Sequence, residues 1–175
     1  MPKTLILIPS RLSATRLPGK PLLKINGLSI ISHVVKKAQK SKIGETYVAT
    51  EDKEIVEDVE KNGGKAILTS KNHKTGSDRI FECFQKLNLK DVDYIINLQG
   101  DEPNIDIDDL KQLDRLVKKN SSEIGTLASK IKDKSILKNE NIVKVITETQ
   151  LNSQNFPLAL KFQRKIDQSE NQNVS

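Results

Sequence analysis

Cysteine occurs once in the 175 residues, tryptophan not at all, and aromatic side chains make up 3% of the chain. A single cysteine excludes a disulfide framework. Cys83 lies in an amphipathic stretch and reads as a core residue of a protein kept in a reducing compartment. Scarce aromatics argue against a surface that stacks on nucleic-acid bases, despite a formal net charge of +6. The lysines are spread along the chain and read as solvated helix faces. The two histidines and the absence of any His/Cys cluster exclude a zinc site of the usual spacing. No Walker A or G-x-G-x-x-G pattern is present, and neither histidine sits in the context of a nucleophile elbow. No apolar run is long enough to span a bilayer, and the N-terminus has no signal-peptide pattern. These absences predict a soluble cytoplasmic protein with neither membrane nor nucleic acid as partner.

Arginine is also scarce: five residues among the 29 basic side chains. Two of the five stand in one loop, Pro9-Ser10-Arg11-Leu12-Ser13-Ala14-Thr15-Arg16-Leu17-Pro18-Gly19-Lys20-Pro21, which follows the apolar run Thr4–Ile8. Such a loop reads either as a solvated basic segment or as an anion site. A planar guanidinium fork suits phosphate oxygens in a way an ammonium does not. A chain that writes nearly every cation as lysine yet places Arg11 and Arg16 here points to the anion site. Each charge-assisted contact to phosphate is worth roughly 1.5–3 kcal/mol, so a polyphosphate is the natural ligand of Arg11, Arg16 and Lys20. Ser13 and Thr15 add hydroxyls, Gly19 permits close backbone approach, and the prolines stiffen the loop.

Apolar spacing predicts a strand over Thr4–Ile8, ended by Pro9, then a short strand and turn over 22–27 and a helix from Ile30 to Lys42. His33 lies off the apolar stripe of that helix and reads as a surface residue. A strand over 45–50 follows, then a helix capped by Asp52 and ended by Gly63-Gly64, and a strand over 66–68. A helix opening at Gly76-Ser77-Asp78 is expected to turn Ile80, Phe81, Phe84 and Leu87 inward. Further strands are expected over 93–98, 124–129 and 142–147, with a helix over 107–119. Strands alternating with helices, the strands being continuous apolar runs, predict an α/β fold with a doubly wound, mostly parallel sheet. One domain over 1–165 is expected, with 166–175 a disordered or severed loop. In such sheets ligands bind beyond the carboxyl ends of the strands, where strand order reverses. If the first strand neighbours that of 93–98, the loops 9–21 and 99–103 face each other.

The second of those loops, Gln99-Gly100-Asp101-Glu102-Pro103, sets two carboxylates directly after a strand. The residue before proline is held extended, which turns Glu102 away and leaves Asp101 to face the cationic loop. There it reads as a Mg²⁺ ligand, since magnesium takes one or two carboxylates beside substrate phosphates, or as a turn cap or partner of Arg16. A third constellation, His73-Lys74-Thr75-Gly76-Ser77-Asp78-Arg79, follows a strand at the same edge. Its Asp78 and Arg79 read as a helix cap and surface charge or as part of the site.

Together these segments resemble the 3-deoxy-manno-octulosonate (Kdo) cytidylyltransferase family. The family pattern runs I-P-A-R-x-x-S-T-R-L-P-G-K-P-L, then H-x-S-G-T-D-R, then N-x-Q-G-D-E-P. This chain carries Ile8-Pro9-Ser10-Arg11 with Thr15 to Leu22, then His73–Arg79, then Asn97–Pro103. Asn141-Ile142-Val143-Lys144-Val145 is similar to a further family strand, and Ala159–Arg164 to the family's A-L-Y-F-S-R, which brings in Arg164 as a substrate-binding residue. The resemblance covers residues 3–147. It implies a nucleotide-diphospho-sugar transferase-like fold and transfer of CMP from CTP to Kdo with release of pyrophosphate, for lipopolysaccharide assembly. It implies that Arg11, Arg16 and Lys20 hold the CTP phosphates, that Asp101 holds Mg²⁺, and that Arg79 and Gln99 lie beside cytosine or sugar. Arg16, Lys20 and Asp101 are the catalytic candidates. Family members continue into segments with further sugar contacts, a second metal-binding aspartate and much of a homodimer interface. The expectation is that either the sequence is truncated or the protein lacks those parts. The rival expectations are a cytidylyltransferase for another acidic sugar and a non-catalytic CTP-binding remnant.

Overall fold

Strand β1, Thr4–Ser10, is apolar on both faces: Ile6 and Ile8 point one way, Leu5 and Leu7 the other, and all four are buried. A strand of that kind is stable only between two layers. The computed structural model describes residues 2–13, 17–131, 133–152 and 155–165. The expected disordered or severed loop over 166–175 falls outside them. The chain divides into two compact units, residues 1–119 and 120–175.

In the first unit β1 is followed by a 3₁₀ turn (Lys20–Leu22), a hairpin of β2 (Lys24–Ile25) and β3 (Leu28–Ser29), and α1 (Ile30–Ser41). Then come β4 (Gly44–Thr50), α2 (Lys53–Lys61), β5 (Ala66–Leu68), α3 (Gly76–Leu87), β6 (Tyr94–Asn97) and α4 (Ile107–Lys119). The hairpin turns on Asn26 and Gly27, both at positive φ, as a tight two-residue turn requires. Four strands form one parallel sheet in the order β5-β4-β1-β6. Ile31, Val34, Val35 and Ala38 of α1, Ile55 and Val59 of α2 and Leu110 of α4 pack with Ile6, Ile8 and Val48 on one face. Ile80 and Cys83 of α3 pack with Leu5, Leu7 and Ala49 on the other. Each valine, leucine or isoleucine among them, once buried, contributes about 1.5–3 kcal/mol. The expected doubly wound sheet is therefore present. Strand order reverses at β1, with β4 on one side and β6 on the other.

In the second unit β7 (Lys144–Thr147) pairs antiparallel with β8 (Ala159–Gln163), after a 3₁₀ turn over Lys134–Lys138. Lys144 is fully buried, and its Nζ donates to the carbonyls of Asn139 (2.5 Å) and Arg164 (2.6 Å).

Several expectations are corrected. Pro9 does not end β1; it stands in register opposite Ala49 of β4. Leu98 N–H donates to the Leu7 carbonyl, so Leu7 and Pro9 turn their backbone toward β6. That strand's register stops at Leu7, so the missing proline donor leaves no ladder bond unmade. Asp52 takes the N-cap position of α2, yet its carboxylate makes no bond to the helix. Phe81 is 61% exposed, because the buried stripe of α3 is centred on Ile80 and Cys83. His33 stays off the buried stripe as expected, half-buried, with its Nε2 2.8 Å from the Ile25 carbonyl. Residues 124–129 form no strand: they find no ladder partner, and Ile124 is 87% exposed. β8 falls in a stretch that reads from sequence as patternless, because only cross-strand pairing defines it.

Candidate functional site

Three loops leave the carboxyl edge of the sheet and enclose a cleft of about 360 Å³. Pro9, Ser10 and Arg11 come from the end of β1, and Lys20 and Pro21 from the 3₁₀ turn. His73 to Gly76 and Arg79 come from the entry to α3, and Gln99, Gly100 and Asp101 from the turn after β6.

The cationic loop is built around Leu12. Its carbonyl accepts the Gly19 N–H at 3.0 Å, and its N–H donates to Asp52 Oδ2 at 2.7 Å. Gly19 sits at φ 71°, in the left-handed region that glycine adopts without strain. The reversal it permits starts the 3₁₀ turn that presents Lys20. Opposite, Gly100 lets the post-β6 turn close on β1. A Cβ there would stand 2.9 Å from the Pro9 carbonyl oxygen and 3.2 Å from Ile31 Cδ1. With the turns brought together, Lys20 Nζ meets Asp101 Oδ2 at 2.7 Å at the open mouth of the cleft.

The third wall is set by α3. Thr75 Oγ1 accepts the Asp78 N–H and Asp78 accepts the Thr75 N–H, a reciprocal capping box that fixes the helix start. The Thr75 hydroxyl also donates to Asp78 and lowers its pKa. One turn on, Arg79 is 3% exposed, and its guanidinium donates to Glu51, to Thr69 Oγ1 (2.7 Å) and to the Ser70 carbonyl (3.2 Å). Arg79 is thus no surface charge, and its positive charge is met by Glu51. Behind it Glu82 binds His73 Nε2, the Lys86 ammonium at 2.8 Å and the Ser70 N–H at 2.9 Å. Led by Lys86, these partners hold the Glu82 carboxyl down to about 2. The Ser10 hydroxyl is buried with no hydrogen-bond partner among the described residues.

Of the residues singled out from sequence, Arg11, Lys20, Arg79, Gln99 and Asp101 line this one cleft, and Gly19 shapes the turn beside it. Ser13 is exposed beside it, its hydroxyl 3.5 Å from Glu51 Oε1. Thr15 and Arg16 lie outside the described residues. Arg164 belongs to the second unit, where its guanidinium donates to the carbonyls of Glu140 (3.0 Å) and Asn141 (3.2 Å). Sequence reasoning passed over Glu51 and missed what Asp52 does. The available signal was their place directly after β4, at the same sheet edge as the other loops.

The chemistry open to such a site is limited and definite. Cys83 is buried, and its thiol is pushed up to about 12, so it is not an available nucleophile. Among the described residues no three His, Cys, Asp or Glu side chains gather to hold a metal by themselves. The lining offers one carboxylate, Asp101, at its exposed mouth beside a lysine. That donor set fits a hard divalent ion that keeps its waters and is held jointly with a ligand's phosphates.

A cytidylyltransferase family model matches residues 5–172. The chain is 46% identical over 149 residues to the 3-deoxy-manno-octulosonate cytidylyltransferase of Thermodesulfovibrio yellowstonii, covering 82% of this chain and 58% of that protein. It superposes on a CMP:2-keto-3-deoxy-manno-octonic acid synthetase solved in complex with CTP, with a TM-score of 0.82 and 36% identity. That match covers 93% of this chain and 64% of the other. A 4-diphosphocytidyl-2C-methyl-D-erythritol synthase, 15% identical with a TM-score of 0.60, covering 93% of this chain and 72% of its own, shares the fold. The chain spans less than two thirds of the length of the curated relatives it matches first. No helix among the described residues is long and apolar enough to cross a membrane. The resemblance read from the three motifs is borne out: the chain belongs to the cytidylyltransferase family.

Proposed function

We propose that this chain binds CTP in the cleft between β1 and β6 and serves transfer of CMP to Kdo, with release of pyrophosphate, for lipopolysaccharide assembly. The observation that carries the reading is the convergence of Arg11, Lys20, Gln99 and Asp101 on one cleft at the point where strand order reverses. Relatives named for this activity are 46% and 43% identical to the chain.

The acceptor hydroxyl attacks the α-phosphorus of CTP; a new P–O bond forms as the hydroxyl proton is released to solvent, and the bond to pyrophosphate breaks, pyrophosphate leaving with the bonding pair. Arg11, Lys20 and Arg16 neutralise the charge that gathers on the phosphate oxygens, and the neck at Leu12 keeps Arg11 and Lys20 in place before the reaction begins. Gln99, an uncharged donor and acceptor, lies toward the base or sugar, as does Arg79. No covalent protein nucleophile is needed. Asp101 is the residue to hold Mg²⁺, which would supply further charge neutralisation and alignment of the leaving pyrophosphate. In this reading Lys20 moves its bond from Asp101 to phosphate when nucleotide and ion enter. The setting is the cytoplasm, where CTP is made and an unpaired Cys83 stays reduced.

Calorimetric titration tests the reading. CTP with Mg²⁺ is expected to bind in preference to the other nucleoside triphosphates, and addition of Kdo to release pyrophosphate. Asp101→Asn is expected to bind CTP equally with and without Mg²⁺. Indifference among triphosphates, or turnover with another acidic sugar and none with Kdo, would overturn it.

A further inference from the structure

We infer that Glu51 and Asp52, the acidic pair directly after β4, are positioning residues for the nucleotide site, Asp52 by anchoring the root of the cationic loop and Glu51 by orienting its opposite wall. The inference rests on the reading of the cleft as a CTP site.

Asp52 is the telling residue. It stands at the N-cap of α2, with the extended backbone such a position takes, and its carbonyl accepts the first N–H groups of the helix from Ile55 and Val56. A cap aspartate ordinarily gives its carboxylate to the helix. Here the carboxylate is diverted to Leu12 N–H at 2.7 Å, forty residues back in the chain. The diversion is held: the Asp52 N–H donates to Thr50 Oγ1 at 3.1 Å, and Thr50 is fully buried. Leu12 is the narrow point of the loop, since its carbonyl takes the Gly19 N–H and its side chain packs on the main core. With Asp52 in place, every polar backbone group of Leu12 is engaged, and Arg11 and Lys20 leave the two sides of a fixed neck. A helix that forgoes its side-chain cap to fix a loop departs from local preference, and such departures gather at functional sites.

Glu51 works on the other side. Its carboxylate takes the Arg79 guanidinium on one oxygen and lies 3.5 Å from the Ser13 hydroxyl on the other. Arg79 is in turn tied to Thr69 and Ser70, in the loop that leads to His73 and the α3 entry. Two adjacent acids thus reach two of the three loops that form the cleft.

The test separates the loop anchor from an ordinary cap. Asp52→Ser keeps a good capping side chain for α2 and is too short to reach Leu12; Asp52→Asn loses the charge and keeps an acceptor oxygen of the same reach. Both are compared with the unsubstituted chain by CTP calorimetry with Mg²⁺ and by hydrogen exchange at the Leu12 amide without nucleotide. The serine variant is expected to bind CTP roughly tenfold more weakly, the hydrogen bond to the Leu12 amide being lost, and to exchange Leu12 faster. The asparagine variant is expected to retain most of both. Unchanged CTP affinity in the serine variant overturns the inference, and so does equal loss in both variants, which would make the effect one of charge. If the unsubstituted chain binds no CTP, that failure belongs to the proposed function. The exchange data then decide the anchor: faster Leu12 exchange in the serine variant upholds it, and unaltered exchange overturns it.

Discussion

Lys20 and Asp101 stand 81 residues apart in the chain and meet at 2.7 Å. The sheet order brings them together, β6 lying directly beside β1. Their side chains are 35% and 57% exposed, and an ion pair so solvated is worth at most about 1 kcal/mol to the fold. Its value lies in what it places at the mouth of the cleft. Lys20→Ala is therefore expected to leave urea unfolding within about 1 kcal/mol of the parent chain. The same change is expected to weaken CTP binding by at least roughly tenfold, as loss of a phosphate contact requires. Equal affinity in the variant would remove Lys20 from the site.

Gly100 makes a different prediction, since its missing side chain is what lets the turn after β6 approach β1. A Cβ 2.9 Å from the Pro9 carbonyl oxygen must displace backbone on one side or the other. Gly100→Ala is expected to destabilise the chain by about 1–3 kcal/mol and to lower CTP affinity as well, because Asp101 moves with the turn. Urea unfolding and CTP titration check the two effects; a variant as stable and as tight-binding as the parent counts against this packing.

Arg79 and Glu51 form a pair that is nearly dry, with side chains 3% and 12% exposed. Removing one partner leaves a buried charge uncompensated, which costs about 3–5 kcal/mol. Arg79→Ala should show a loss of that order in denaturant midpoints. A loss under about 1 kcal/mol would mean the guanidinium is hydrated and the pair is not buried in solution.

Glu82 gives a pH dependence. Its carboxyl falls from an ordinary 4.5 to about 2 in the folded chain, through Lys86 first, then His73 and the Ser70 N–H. A depressed carboxyl means the unfolded chain binds the proton more readily. Its contribution to stability is fully present above pH 4.5 and is lost as pH falls toward 2. Glu82→Gln should therefore lose less stability than the parent between those limits, measured as the difference between their unfolding curves. Parallel acid limbs in the two proteins would contradict the assignment.

Much of this could be read along the chain. The helix over Ile107–Lys119 and the strand over Ala66–Leu68 have the bounds the apolar spacing gives. Four of the five expected cleft residues sit in loops or turns that announce themselves by proline, glycine or scarce arginine, and Arg79 sits in the first turns of α3. Other features were invisible for a common reason. Asp52 looks like a cap because capping is decided within a few residues, whereas its acceptor role depends on Leu12, forty positions away. Arg79 reads as either a surface charge or a site residue because nothing local shows that Glu51 lies behind it. The stretch 124–129 has strand composition without a partner edge, and β8 has a partner edge without strand composition.

The amino-acid order alone determined which segments could be strands or helices, where the backbone had to reverse, and which loops held concentrated charge. Those properties follow from dihedral preference and from hydrophobic period, both of which act over a few residues. Only the folded chain decided which charges face each other: Lys20 with Asp101, Arg79 with Glu51, Asp52 with the root of the loop. Those pairings are set by which strands lie side by side and how closely glycine lets their turns approach, and packing settles both only when distant segments meet.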